Sequence, residues 1–444
     1  DGIVYLAYGR YETFATDEAV LAVNLQGDTL QLSELRMPVG DAVVSGTASV
    51  TSLYDEPIVA ATLSVDDLVL QDLALLQEMG LPLSGTVNLP YLNVQGALDD
   101  LRGIAQIEAT DLEVGEESVG AVSASILLDR NELTLRRTTL ALAGGELSVD
   151  GRYRLDEQRI LPSHIELDDV SVSELLQVAV PVGEYIAEET GEPGEDGQDI
   201  ARQLTSLSLR LGGRLDGNLS LEGTIPEGIA EIEDTTAMLE QLLASLQANA
   251  DLDIRRPSLD NRLLPDTSLL AEVAEEPEVA LQLEAVQGDA LITADGTWAP
   301  SGEIEMLAEA SALNLSTLRE WAPETVRSLG GSLNLTVQAS GTVDDPQFVG
   351  SVDITEPETY GVKFDLVSAP LIRYDGQFID ITSLVARESD EEFVVDGKVP
   401  FDWETLSVPE DGELEVEVRS DGTSLAILPP LLADAANEPP GGPL

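Results

Sequence analysis

The stretch Gly330–Ile354 reads GGSLNLTVQASGTVDDPQFVGSVDI. Apolar and polar residues alternate along both halves, and Gly341 lies near the middle. Alternation with a period of two is typical of a strand that has one apolar face, and Gly and Asp residues between two such runs favour a turn. The stretch therefore predicts a β-hairpin with one apolar and one polar face.

The same alternation continues along most of the 444 residues. We count about 25 candidate strands, in runs of roughly 6–10 residues bounded by Gly, Asp, Asn and Pro. The links between them are short, as in LDRNEL and YDGQF. Links of this length cannot hold a crossover helix, so neighbouring strands are expected to be antiparallel. The predicted fold class is all-β with a few short helices.

Four stretches repeat one order: a strand with a central glycine, a turn, a second strand and a short Leu-rich helix. They begin at Gly40, Gly144, Gly288 and Asp390. Their mid-strand glycines are Gly46, Gly151, Gly296 and Gly397. The residues two positions away from each glycine are mostly apolar, which predicts that the glycine lies on the apolar face and lets the strand bend there.

The hairpin of the opening stretch also recurs, each time after the short helix. The three copies carry Gly85, Gly96 and Gly103, then Gly213, Gly223 and Gly228, then Gly331, Gly341 and Gly350. The repeats divide the chain into β-repeat units at 1–79, 80–182, 203–328 and 329–444, with an acidic flexible loop at 183–202. We expect the chain to be a fragment of a longer one.

Residues 233–249 break the strand pattern, within an insertion at about 224–276 of the third unit. Apolar side chains recur there at helical spacing, at Met238, Leu239, Leu242, Leu243 and Leu246. One interpretation is a helix packed on the sheet, and the other is a lid over an apolar surface.

Composition excludes several classes of function. The net charge is −61, from 83 acidic and 22 basic residues. Nucleic acids and anionic headgroups are therefore poor partners, because few cations are present to neutralise phosphate. The chain has no cysteine and a single histidine, His164. We predict no catalytic residues, no metal site and no cofactor, and hence a protein that is not an enzyme.

The order of residues from Leu318 to Ile354, and the segment GGELSVDGRYRLD that starts at Gly144, resemble the TamB/AsmA-like superfamily. The resemblance covers most of the chain in degenerate repeats. It implies a long β-sheet curled into a U-shaped groove, a β-taco, with an apolar interior. It also implies a periplasmic protein, anchored in the inner membrane, that carries phospholipid to the outer membrane. An Omp85-type barrel partner and a role in outer-membrane protein assembly are further implications.

The residues themselves agree with such a groove, because strands with one apolar face must cover that face. The candidate groove lining is Val44, Ala48, Val149, Tyr153, Leu281, Leu283, Ala294, Trp298, Leu333, Leu335, Val337, Val395, Val399, Leu414 and Val416. A plain sheet core would turn the same side chains inward, so the sequence leaves both arrangements open. The alternative function is a structural or adhesive β-repeat protein, extracellular or periplasmic, without lipid transport.

Overall fold

The structure is a computed structural model, and 27 strands account for most of its described residues. It describes residues 2–420 apart from 7–8, 12–13, 17–18, 40–41, 73–82, 98–99, 116, 179, 181–204, 206–207, 227–234, 261, 274–277, 321–329, 344, 360–361, 390, 404–408 and 410–412. The predicted acidic loop at 183–202 lies outside the described residues. The predicted fold class, an antiparallel all-β protein with a few short helices, is confirmed.

The chain divides into two compact units. Unit 1 contains Asp1–Leu264 and Val273–Glu276, and unit 2 contains Pro265–Glu272 and Pro277–Leu444. The four sequence repeats stay a prediction about internal organisation within these units.

Unit 1 contains sixteen strands: β1 Gly2–Leu6, β2 Gly9–Tyr11, β3 Phe14–Thr16, β4 Ala19–Gln26, β5 Thr29–Val39, β6 Ala42–Thr51, β7 Ile58–Val69, β8 Leu83–Ala97, β9 Asp100–Val114, β10 Glu117–Asp129, β11 Glu132–Leu142, β12 Gly145–Arg154, β13 Arg159–Ser171, β14 Leu211–Thr224, β15 Leu246–Leu259 and β16 Arg262–Leu263. Strands β2 and β3 form a separate hairpin. Strand β1 pairs with β4, and from β4 to β16 each strand pairs antiparallel with the next in sequence.

The remaining strands belong to unit 2, apart from Val273 at the end of β17: β17 Asp266–Val273, β18 Val279–Gln287, β19 Ala290–Trp298, β20 Glu303–Asn314, β21 Gly330–Thr342, β22 Pro346–Thr359, β23 Val362–Lys363, β24 Leu366–Tyr374, β25 Phe378–Glu388, β26 Glu391–Pro400 and β27 Glu415–Ser420. From β18 to β27 the pairing is again antiparallel and sequential, with β22 pairing both the short β23 and β24.

Helical segments are short. Residues 172–178 form a helix, α1, directly after β13, and Thr235–Ser245 form α2 before β15. Two 3-10 turns, Leu70–Asp72 and Leu315–Glu320, follow β7 and β20. Helix α1 lies where the repeat pattern predicts a short helix after the second strand. After β7 and β20 the predicted helices begin as 3-10 turns, and their remaining residues lie outside the described ones, as does the fourth predicted helix.

A recurring β-bulge interrupts five strand pairs in the same way. Two residues on one strand oppose a single Asn or Asp on the next strand, and the second bulged residue has a positive φ of 49–57°. Its backbone N–H donates a hydrogen bond to the Oδ1 atom of that Asn or Asp. We call these five pairs bulge clasps: Asp67–Asn88, Arg137–Asp150, Asp169–Asp216, Ala312–Asn334 and Ser383–Asp396. Bulges of this kind increase the local twist and bend the strand.

A second type of bulge lies opposite the first glycine of each recurring hairpin. In β9 the bulged residues Asp111 and Leu112 oppose Gly85, and in β22 Glu356 and Pro357 oppose Gly331. Gly331 has φ near 114°, and a Cβ atom built there would lie 3.0 Å from the Pro357 Cα. Only glycine combines that backbone conformation with such a close approach, which explains why the hairpin begins with glycine.

Candidate functional site

Cross-strand register places the predicted lining residues of unit 1 on one face of its sheet. Side chains directly opposite each other in an antiparallel pair project from the same face. Val44 pairs with Val65, and Ala48 pairs with Ala61. Val149 pairs with Ile165, and Tyr153 pairs with Ile160. We call the side of the sheet that carries these residues the apolar face of unit 1, and the opposite side its polar face.

Unit 2 has an apolar face built in the same way. One unbroken cross-strand row runs through Leu283, Ala294, Ala308, Val337, Gly350, Ile372, Ile381, Gly397 and Val416. A neighbouring row runs through Leu281, Gly296, Met306, Ala339, Phe348, Tyr374, Ile379 and Val399. Trp298, Leu333, Leu335 and Val395 lie on the same face. Leu414 precedes β27 and lies outside any strand, with 60% of its surface exposed.

The apolar faces carry no charge over most of their area. In the described strands β5–β15 and β18–β27, Asp, Glu, Lys and Arg are absent from this face between its bulges and its strand ends. Glu117 is a charged residue at the edge of the apolar face of unit 1. It is the first residue of β10 and pairs with Val114. The rest of each apolar face is aliphatic. A ligand bound there would contact no charged side chain.

The apolar faces are only partly covered. Strand β9 of unit 1 shows the pattern: Leu101, Gly103, Ala105 and Ile107 are half-buried, while the residues between them are exposed. Core residues of a sandwich between two packed sheets are normally fully buried. Among the described residues, therefore, no second apolar layer covers this part of the face as it would in a sandwich.

Part of the full burial lies beside helical segments. In unit 1 one buried cluster includes Leu112, Leu142, Val170 and Leu215, and Val172, Leu175 and Val178 of α1 pack against it. A smaller cluster in unit 2 joins Ala290, Ala310 and Leu313, close to the 3-10 turn that begins at Leu315. Helix α1 thus covers part of the apolar face of unit 1.

The polar face carries the charges. Arg255 forms ion pairs with Asp216 and Asp169, and Arg102 pairs with Asp129 at 3.2 Å. These side chains are substantially exposed, so each pair contributes little to stability. Some apolar side chains also reach this face, as with Leu307 and Val349, each 42% exposed. In the described strands the acidic side chains therefore lie mainly on the polar face, with scattered apolar exceptions.

Unit 2 contains an apolar pocket of about 380 Å³. We call it the aromatic pocket; it is lined by Leu335, Val337, Phe348, Gly350, Ser351, Val352, Ile372, Tyr374, Ile379, Phe401 and Trp403. Its lining is almost entirely apolar. The volume falls within the range of small-molecule sites.

Four aromatic rings close one end of the aromatic pocket. The Phe348 ring centroid lies 5.0 Å from that of Trp403 and 5.8 Å from that of Tyr374, and Tyr374 meets Phe401 edge-on at 5.8 Å. Burial raises the pKa of the Tyr374 phenol, and the nearby carboxylates of Asp345, Asp402 and Asp375 raise it further, while a hydrogen bond with the Trp403 backbone opposes them. The phenol is therefore neutral and fixed to the segment that carries Trp403.

Sequence reasoning placed Leu335 and Val337 in the lining but missed this aromatic cluster. Phe348 and Tyr374 occupy apolar-face positions at the ends of β22 and β24, while Phe401 and Trp403 follow β26. The available signal was the occurrence of aromatic residues beside turn sequences, in PQF, RYDG and PFDW. Only the antiparallel register brings these distant segments to one end of the sheet.

The predicted lid residues are divided between two elements. Met238, Leu239, Leu242 and Leu243 lie in α2, where Leu239 is 37% exposed. Leu246 was predicted as the last residue of the helical stripe, and this is wrong, since it begins β15 opposite Gly223. From Leu246 onward the backbone pairs with β14 and no longer continues the helix. A lid role for α2 stays a prediction.

Among the described residues, no group of His, Asp and Glu side chains has an arrangement that could hold a metal ion. No helix in the described part of the chain has the length and hydropathy required to cross a membrane. No family model, curated protein or solved structure matches this chain.

Proposed function

We propose that this chain is a segment of a lipid-transfer protein that shields phospholipid acyl chains along its apolar faces. The observation that carries the proposal is an aliphatic surface which spans many strands, lacks charge between its bulges and strand ends, and is only half-buried. A monomeric protein rarely leaves such a surface open unless it binds something apolar.

The energetics favour acyl chains as the occupant. Each methylene removed from water contributes about 0.8 kcal/mol, so a phospholipid with two chains gains many times thermal energy. Rows of Leu, Val, Ile and Ala offer similar contacts from strand to strand. A lipid can move along such a surface without exposing its chains fully to water, which is what transfer requires.

The proposals about family, location and partners rest on the resemblance to the TamB/AsmA-like superfamily. Membership of the TamB/AsmA-like superfamily, the periplasmic location, the inner-membrane anchor and the Omp85-type partner are proposals on that ground alone. Support of outer-membrane protein assembly is a further proposal of the same kind. Binding and sliding of lipid need no bond to be made or broken, so the proposed role is not enzymatic.

A photo-crosslinking experiment with matched positions tests the proposal. Val337 lies on the apolar face between Ala308 and Gly350, while the adjacent Thr336 lies on the polar face between Glu309 and Ser351. A photoreactive residue at 337 is expected to capture phospholipid during expression in a Gram-negative host, and one at 336 is not. Mass spectrometry of the extracted adducts reads out the result. Equal lipid capture at the two positions, or none at 337, would overturn the proposal.

A further inference from the structure

Three carboxylates gather beside the aromatic pocket. Asp345 immediately precedes β22, Asp375 follows Tyr374 at the end of β24, and Asp402 lies between Phe401 and Trp403. All three belong to one end of the unit 2 sheet, because β22 begins where β24 and β26 end. The end that presents aromatic rings thus also presents negative charge.

Local contacts fix the turns that carry two of these carboxylates, Asp345 and Asp375. The Asp345 backbone N–H donates to Thr342 Oγ1 at 3.1 Å, and a Cβ atom built at Gly376 would lie 2.8 Å from Asp345 Oδ1. Asp375 Oδ1 accepts backbone N–H groups from Phe378 at 2.8 Å and Gln377 at 3.1 Å. These two hydrogen bonds lower the pKa of the Asp375 carboxyl, so it is charged at neutral pH.

The nearby cation belongs to the other side of the sheet. Lys398 Nζ lies 4.3 Å from the centroid of the Phe378 ring, and Lys398 alternates with Val399 of the apolar face. Its side chain therefore starts from the polar face, and its charge adds to the lowering of the Asp375 pKa. On the pocket side, Tyr374 is 5% exposed and Trp403 is 36% exposed. The Trp403 indole is the most solvent-exposed part of the pocket lining, as expected of an aromatic ring at a boundary between apolar surface and water.

An aromatic ring beside carboxylates attracts an ammonium group, through both the ring quadrupole and direct charge. The same carboxylates repel an anionic headgroup. We propose that the aromatic pocket holds one acyl chain of a phospholipid and that its acidic rim selects headgroups bearing an ammonium group over headgroups with negative charge alone. This inference rests on the proposed lipid-transfer function and adds a fixed, headgroup-selective site to it.

A competition experiment on the full chain tests the selectivity. Delipidated protein is incubated with vesicles of equimolar phosphatidylethanolamine and phosphatidylglycerol that have identical acyl chains, and the bound lipids are extracted and quantified. We expect phosphatidylethanolamine to be enriched about three- to five-fold, the discrimination that one exposed ion pair provides. The enrichment should fall in high salt, because screening weakens exposed charge pairs.

Paired variants separate the rim from the general acidity of the chain. Asp345→Asn with Asp402→Asn removes two rim charges and leaves Asp375, whose carboxylate holds the turn. The matched control, Glu284→Gln with Glu305→Gln, removes two charges from exposed positions on the polar face. We expect the rim variant to bind as much total lipid as the wild type with a ratio near one, and the control to keep the preference.

The outcomes distinguish the two proposals. Lipid bound without preference by the wild type, or a preference that survives in the rim variant, overturns the headgroup inference and leaves the proposed function standing. Absence of bound lipid in the wild type overturns the proposed function and the headgroup inference together.

Discussion

The backbone N–H of Ala312 donates a hydrogen bond to Oδ1 of Asn334, 3.0 Å away on the next strand. Ala312 has a φ of 52°, a conformation that costs energy for a residue with a Cβ atom. The bulge takes the Ala312 N–H out of the backbone hydrogen bonding between the strands. The side chain of Asn334 accepts its hydrogen bond instead. The clasp thus stabilises a bend in the sheet with a polar-face residue, and leaves Leu333 and Leu335 on the apolar face.

Removing the clasp acceptor should destabilise unit 2. Asn334→Ala leaves the Ala312 N–H without its side-chain partner, and we expect a loss of about 0.5–1.5 kcal/mol in the free energy of unfolding. Urea denaturation followed by circular dichroism measures it. Asn334→Asp is the control, because aspartate supplies the same acceptor at Ala312, as it does in three of the other clasps. A neutral Asn334→Ala variant, or an equal loss in Asn334→Asp, would contradict the role given to the clasp.

The mid-strand glycines should differ in their tolerance of alanine. A Cβ atom at Gly296 would lie 2.2 Å from the Glu305 carbonyl oxygen and 2.7 Å from Met306 Cγ, whereas at Gly397 the nearest atom is 3.6 Å away. We expect Gly296→Ala to cost about 1–3 kcal/mol through steric strain. Gly397→Ala should be within about 0.5 kcal/mol of neutral or slightly stabilising, since alanine restricts the unfolded chain. Thermal and urea unfolding of the two variants compare them directly, and similar losses would refute the difference.

The contrast between Gly296 and Gly397 shows where sequence reasoning reached its limit. Alternation correctly placed both glycines on the apolar face, along with Val337 and Val395, because the side-chain period of a strand is fixed. The sequence predicted a bend at each glycine, but it did not show that Met306 packs against Gly296 while Gly397 has free space beside it. Such packing depends on which side chain lies opposite, and hence on register. Register in turn depends on the bulges, and an Ala312 in a strand-like run gives no local sign of a positive φ.

Acid should weaken the turn that carries Asp375. The folded-state pKa of its carboxyl is lowered below the ordinary value of 3.8, mainly by hydrogen bonds from Phe378 and Gln377. A lowered folded-state pKa contributes stability that is fully present above the unfolded-state value and is lost as the pH falls below it. We expect wild type to lose more stability between pH 5 and pH 3 than Asp375→Asn, in unfolding titrations at each pH. Equal pH dependence of the two proteins would show that the carboxylate is not held in this way.

Occupation of the aromatic pocket should change the fluorescence of Trp403. The chain has three tryptophans, so replacement of Trp298 and Trp321 by Phe leaves Trp403 as the sole indole. Its ring lies against Phe348 and is 36% exposed, which keeps part of it in water. An acyl chain in the pocket would displace that water, so titration of the delipidated protein with phosphatidylethanolamine vesicles is expected to shift the emission to shorter wavelength. Glycerophosphoethanolamine, which has the headgroup without the chains, should leave the spectrum unchanged, because the apolar lining offers it no burial. A shift with the headgroup alone, or no shift with the vesicles, would mean that acyl chains do not enter the pocket.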